Sequence, residues 1–120
     1  GKTQISVMEV SKADVSKYGI IKTTNVKNGV SGIFEKPQAN DAPSNLACIG
    51  RYVVTSDIFK ILKNQAPGRG NEIQLADALN TQAIEGNVQS VKLNGQRFDC
   101  GSVSGYLKAI NYVATSKGLL

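Results

Sequence analysis

An apolar run that ends in a carboxylate beside an ammonium, Ile33-Phe34-Glu35-Lys36, is cut off by Pro37. Proline brings no ladder donor, so a strand closes there. Upstream, Asn28-Gly29 separates two β-rich runs, 20–26 and 30–36, in the pattern of a hairpin. Downstream, after a loop over 37–44, residues 46–55 are apolar almost throughout, interrupted only by Gly50 and Arg51. Such a run predicts a strand buried on both faces, with Gly50 marking a bulge or a close approach to the backbone. Successive strand side chains point to opposite faces, so Glu35 and Lys36 cannot both be core. Either the pair is a solvated strand end, or it sits at the rim of a sheet where one group faces a cleft and the other reaches in from the edge. Ligands of open α/β sheets bind at such strand ends.

The remaining chain predicts a strand over 4–10, a polar turn or single helical turn over 11–17, and a glycine-opened strand from Tyr18-Gly19. Thr55-Ser56-Asp57 offers N-cap groups to a helix over 58–64. Ala66-Pro67-Gly68-Arg69-Gly70 breaks that helix and lacks the Lys-Ser/Thr of a phosphate loop. A second helix is expected from Asn71 or Glu72, with Ile73, Leu75, Ala76, Leu79 and Ala83 on one side, closing at Gly86-Asn87. Residues 88–93 alternate as a strand, Asn94-Gly95 turns, and 96–100 form a short extended piece. An amphipathic helix over 106–115 follows, with Leu107, Ile110, Val113 and Ala114 inward. Strands first, then helix, helix, strand, helix define an α/β or α+β pattern with a mixed sheet, and there are too few helices to cover both faces of it.

At 120 residues and 41% hydrophobic, the chain suits one domain with a real core. No run reaches the apolar length that spans a bilayer, and no signal segment opens it, so no membrane role is expected. The chain begins with Gly1 and not Met, so its start is expected to be an artificial boundary or the end of an excised piece. The net charge of +5 is scattered, without the dense basic run and interleaved aromatics of a nucleic-acid surface, and leaves a modest bias toward small anions. With no His, and with Cys48 and Cys100 far apart, a usual zinc site and a His-based triad are excluded. The thiols read as small hydrophobes in a reducing compartment, and any metal would take oxygen ligands, which favours magnesium.

Among the acidic residues, Glu72 in a first helical turn would complement the helix dipole. On the expected boundary Asp77 lies a turn further in, as a solvated residue or a metal ligand. Asp99, where a strand meets a helix start, reads as a turn cap. Gly19 either bends the chain or lets a ligand meet the backbone.

Read together, Tyr18-Gly19, Glu35-Lys36-Pro37, Ala42-Pro43-Ser44-Asn45-Leu46-Ala47, Gly50-Arg51-Tyr52, Glu72-Ile73-Gln74-Leu75-x-Asp77-Ala78 and Asp99-Cys100-Gly101 resemble the bacterial UTP–glucose-1-phosphate uridylyltransferases in order and spacing. The resemblance spans almost the whole chain. It implies the C-terminal, sugar-binding portion of a Rossmann-like nucleotidyltransferase fold, a mixed β-sheet with flanking helices, as a single partial domain over 1–120. It also implies cytoplasmic work in which glucose 1-phosphate attacks the α-phosphorus of UTP with magnesium, giving UDP-glucose and pyrophosphate.

Carried onto this chain, the resemblance implies that Gly19 offers its backbone to the hexose and Glu35 accepts from sugar hydroxyls. Lys36 would hold the sugar phosphate and act at the transition state, Gly50, Arg51 and Tyr52 would line the pocket, and Asp77 would bind magnesium. Transfer of a phosphoryl group needs placement and positive charge more than a covalent nucleophile, which agrees with the missing His. The family's glycine-rich nucleotide loop and second magnesium-binding Asp have no counterpart here, so the chain alone is expected to be inactive. Where many members carry a Lys two residues past Asp-Cys-Gly, this chain has Val103, which removes the basis for a phosphate contact there. Exposed edges and apolar faces are expected to drive homo-oligomerisation, by strand exchange for example. The competing expectations are a non-catalytic sugar-phosphate-binding or oligomerisation module, and a transferase of the same fold using dTTP or ATP.

Overall fold

A computed structural model describes all residues 1–120. Five strands, β1 (Thr3–Glu9), β2 (Gly19–Thr23), β3 (Val30–Glu35), β4 (Leu46–Val53) and β5 (Val88–Lys92), form one sheet in the order β3-β2-β4-β1-β5. Every neighbouring pair is antiparallel except β1 with β5, so the sheet is mixed, as the pattern of elements predicts. The helices are α1 (Ile58–Asn64), α2 (Leu75–Ile84) and α3 (Val103–Ser116), and a 3-10 turn spans Lys12–Lys17.

Two patches of buried apolar side chains lie on the sheet. Ile5, Val7, Ile21, Val30 and Val88 meet Ala83 of α2, and Ala78 and Leu79 of α2 meet Ile58 of α1. Val15 of the 3-10 turn covers Ile20 and Ala47 in a second, smaller patch. At about 25 cal/mol per Å² of apolar surface, each fully buried Ile or Leu stabilises the fold by roughly 1.5–3 kcal/mol. One polar network is embedded in the core. Fully buried Gln82 accepts from the Thr3 hydroxyl at 2.8 Å and donates from Nε2 to Thr55 Oγ1 and Asp57 Oδ2 at 3.0 Å each, fastening α2 to β1 and to the start of α1.

Four expectations need correction. The hairpin forms, but Thr23 pairs with Val30, so residues 24–29 make the turn and Val26 lies outside the strand. The Thr24 hydroxyl accepts from Val26 N at 3.2 Å and holds this longer loop, with Asn28 at φ 60°. In β4 only Ala47 is buried, and Gly50, Arg51, Tyr52 and Val53 are exposed. The reason is topological: β4 registers with β2 only at Ala47, so its far half has β1 alone beside it. The expected bulge is present, since Ile5 pairs with Tyr52 and Val7 with Cys48, leaving Ser6 opposite Ile49, Gly50 and Arg51. Gly50 takes φ 81°, which a side chain would resist.

The second helix starts at Leu75 rather than at 71 or 72, because Glu72 and Gln74 are extended behind a 3-10 turn at Arg69–Asn71. Its buried side is Ala78, Leu79, Gln82 and Ala83, with Ile73 and Leu75 exposed. The last helix is longer than expected, starting at Val103, where Ser102 Oγ accepts from Gly105 N at 3.0 Å. Asp99 caps the turn that follows it, as expected, accepting from Gly101 N at 3.0 Å. The amphipathic face of α3 does not turn inward: Leu107, Ile110 and Val113 are exposed, and the helix buries no residue. Its projection accounts for a radius of gyration of 16.1 Å, against about 14 Å for a compact chain of this length.

Candidate functional site

The antiparallel pairing of Gly19 with Glu35 sets the site, because it places the start of β2 beside the end of β3. Lys36 N donates to Tyr18 O at 2.9 Å and extends this pairing by one step. A Cβ built on Gly19 would lie 3.3 Å from Glu35 Oε2, 3.5 Å from Ile33 Cγ2 and 3.9 Å from the Cys48 Cβ. Glycine therefore leaves bare backbone next to a carboxylate.

A cleft of about 300 Å³ opens there. Tyr18, Gly19, Ile33 and Glu35 form one wall, and Cys48, Ile49, Gly50 and Tyr52 of β4 form another. Ala76 and Leu79 of α2 and Arg97 from the segment before α3 complete it, with Lys17 at its margin. The β4 bulge brings Gly50 and Tyr52 into this wall. A wider groove of about 520 Å³ between α1 and α2, lined by Asp57, Lys60 and Glu85 among others, holds none of the expected site residues.

The electrostatics of the cleft follow from burial around one carboxylate. Burial first, and the Glu35 charge second, push the Cys48 thiol up to about 11. Burial, with Cys48 and Glu35 behind it, also raises the Tyr52 hydroxyl above its ordinary value. Both groups keep their protons at neutral pH, so Cys48 is no nucleophile and Glu35 is the only carboxylate in the lining. Of the two cations, Lys17 is committed to Asp14 at 2.7 Å, and this pair raises the one and lowers the other in pKa. Arg97 lies over the Tyr18 ring, 5.4 Å from its centroid. The cleft can thus accept hydrogen bonds from hydroxyls at Glu35, donate from neutral Tyr52, and present a guanidinium to an anion.

Of the residues singled out from the sequence, Gly19, Glu35, Gly50 and Tyr52 come together in this cleft. Lys36, Arg51 and Asp77 do not line it. Lys36 follows Glu35 just past the end of β3, with φ 45°, and Arg51 lies in the bulged stretch of β4 between the lining residues Gly50 and Tyr52. Asp77 lies in the first turn of α2, where a carboxylate complements the helix dipole, and its Oδ2 rests against Gly68. The expectation that Asp77 lies a turn further into the helix is therefore corrected. No three acidic or thiol side chains gather anywhere in the chain. Reading the sequence missed Arg97. A lone Arg in a short extended piece carries no local signal, and its partner Tyr18 is distant along the chain.

The mixed sheet with its flanking helices is that of a nucleotidyltransferase fold, and the chain belongs to the nucleotidyl transferase family, whose model matches residues 1–116. Among proteins of known name, it is 49% identical over 113 residues to a UTP–glucose-1-phosphate uridylyltransferase of Pseudomonas aeruginosa, covering 92% of this chain and 40% of that protein. It is 46% identical over 108 residues to UTP–glucose-1-phosphate uridylyltransferase 2 of Streptococcus pyogenes, covering 87% of this chain and 36% of that protein. Among solved structures, a UDP-glucose pyrophosphorylase complexed with UDP-glucose superposes with a TM-score of 0.82 at 44% identity, covering 96% of this chain and 45% of that one. A UTP-bound enzyme from Acinetobacter baumannii gives 0.80 at 38% identity, covering 96% and 40%. The chain spans about two fifths of the length of the relatives it matches. No helix is long and apolar enough to cross a membrane.

Proposed function

We propose that these residues form the sugar-binding side of a nucleotidyltransferase that makes UDP-glucose and pyrophosphate from UTP and glucose 1-phosphate. The observation that carries this reading is the Glu35 carboxylate beside the bare backbone of Gly19, inside a cleft walled by β2, β3 and β4. A carboxylate accepts from two vicinal hydroxyls at once, and exposed backbone lets a pyranose ring approach closely. Gly50 and Tyr52 confine the ring, and Lys36 and Arg51, each next in sequence to a lining residue, turn toward the ligand when it binds. Lys36 holds the sugar phosphate, placing its oxygen to attack the α-phosphorus of UTP and offsetting the charge that develops there. The names of the relatives support the substrates assigned.

The chain offers no nucleotide-binding loop, so the UTP contacts and the choice among UTP, dTTP and ATP belong to residues outside these 120. Magnesium on the nucleotide phosphates would likewise draw its ligands mainly from outside, with Asp77 the carboxylate proposed from this side. The work is placed in the cytoplasm. The uncovered apolar face of α3 favours self-association.

Titration of the 120-residue chain with glucose 1-phosphate, with and without Glu35→Gln, tests the reading. Saturable binding that the substitution weakens is expected, with no UDP-glucose formed from UTP by the chain alone. Binding indifferent to Glu35, or turnover by the chain alone, would overturn it.

A further inference from the structure

We propose that Arg97 is the residue inside the cleft that receives the anionic end of the ligand, with Tyr18 as its platform. This deepens the reading above and rests on it. Three observations converge. Arg97 is part of the cleft lining, although it lies far along the chain from the other walls, in the segment between β5 and α3. Its guanidinium carbon stands 5.4 Å from the Tyr18 ring centroid. Neither of the protein's two ion pairs includes it, whereas Lys17, the other cation of the lining, is already held by Asp14.

The geometry suits a phosphate. A guanidinium held over an aromatic face at cation–π distance keeps its N–H donors free to match two phosphate oxygens in parallel. The neighbouring residue fixes the segment from the other side: the Phe98 ring packs on Tyr112 of α3 at 5.3 Å between centroids. Alternation along the extended piece sends Arg97 to the cleft and Phe98 to the helix. Glu35 and Arg97 then mark two ends of one site, hydroxyls at the carboxylate and anion at the guanidinium. Lys36 is the rim cation, and Arg97 is the one within.

Affinities of the chain for glucose 1-phosphate and for glucose, measured by NMR titration, separate the roles. Arg97→Gln is expected to weaken glucose 1-phosphate roughly 10- to 100-fold and to leave glucose within about twofold. Arg97→Lys recovers part of the loss, because an ammonium gives charge without the fork. Tyr18→Leu loses the platform and weakens glucose 1-phosphate selectively, and Tyr18→Phe, which keeps the ring, recovers most of that loss. Circular dichroism confirms folding of each variant. An unchanged ratio of the two affinities in Arg97→Gln overturns the proposal while the cleft assignment stands. Failure of the parent chain to bind either ligand, or binding that Glu35→Gln leaves untouched, overturns the cleft assignment and this proposal with it.

Discussion

Adding one methyl group at Gly19 separates folding from binding at this site. A Cβ there meets Glu35 Oε2 at 3.3 Å, tighter than ordinary contact, while Ile33 Cγ2 at 3.5 Å and Cys48 Cβ at 3.9 Å are comfortable. The crowded atom is the far end of an exposed, flexible side chain, so Glu35 can swing by the few tenths of an ångström required. Folding therefore loses little. The smaller conformational entropy of the unfolded chain returns about 0.4–1 kcal/mol, so Gly19→Ala should stay within about 1 kcal/mol of the parent by urea denaturation. Binding has no such relief. The methyl fills the space where the ligand meets backbone, and it displaces the carboxylate that accepts from it. Losing one hydrogen bond to a charged group costs about 1.5–3 kcal/mol, which corresponds to roughly 10- to 150-fold in affinity. The assay is glucose 1-phosphate titration of the folded variant followed by NMR. An affinity within about twofold of the parent, in a variant of parental stability, would refute the claim that ligand lies against Gly19 and Glu35.

Four further outcomes are expected. Gln82→Met keeps the volume but removes three hydrogen bonds and leaves the buried Thr3 hydroxyl only the longer contact to Thr55 Oγ1 at 3.3 Å; urea denaturation should show a loss of about 2–4 kcal/mol, and a loss below about 1 kcal/mol would mean the network contributes little. With its thiol pushed up to about 11, Cys48 should react with iodoacetamide near pH 8 roughly a hundredfold more slowly than an ordinary exposed cysteine, and mass spectrometry should find exposed Cys100 labelled first. Because the folded-state value lies above the unfolded one, Cys48 favours folding fully below about pH 9, and that contribution is lost as pH rises toward about 11; a Cys48→Ala variant that keeps the parent's alkaline loss would contradict this. Leu107→Glu with Ile110→Glu on the uncovered face of α3 should leave denaturation within about 0.5 kcal/mol per site and shift light-scattering mass toward the monomer; a parent that is monomeric at every concentration would remove self-association from the account.

Much of the frame was legible in the sequence because it is set locally. Pro37 stops β3, Asn28-Gly29 lies between two strands, and Gly50 bends β4, each through backbone chemistry that neighbouring residues do not override. The start of α2 was not legible, since Glu72 suits a first helical turn in isolation. The positive φ angles at Gly70 and Asn71 delay the helix, and that delay puts Asp77 in the first turn. Periodicity revealed the apolar face of α3 but not whether anything packs against it, because packing is a property of the whole fold. The cleft was half legible. Glu35, Gly19, Gly50 and Tyr52 are brought together by strand pairing that the hairpin and the apolar run foreshadow. Arg97 reaches the same place through a segment without regular structure, and its cation–π contact with Tyr18 is long-range in sequence.

The central claim is that a hexose phosphate sits in the cleft between Glu35 and Arg97. Its most direct test is a nitrogen-15 NMR titration of the 120-residue chain with glucose 1-phosphate. The account predicts saturable shifts confined to the amides of Gly19, Glu35, Cys48, Gly50 and Tyr52 and to the Arg97 side chain, with the α1–α2 groove around Lys60 and Glu85 silent. Shifts centred on that groove, or none around Gly19 and Glu35 at saturating ligand, would contradict it.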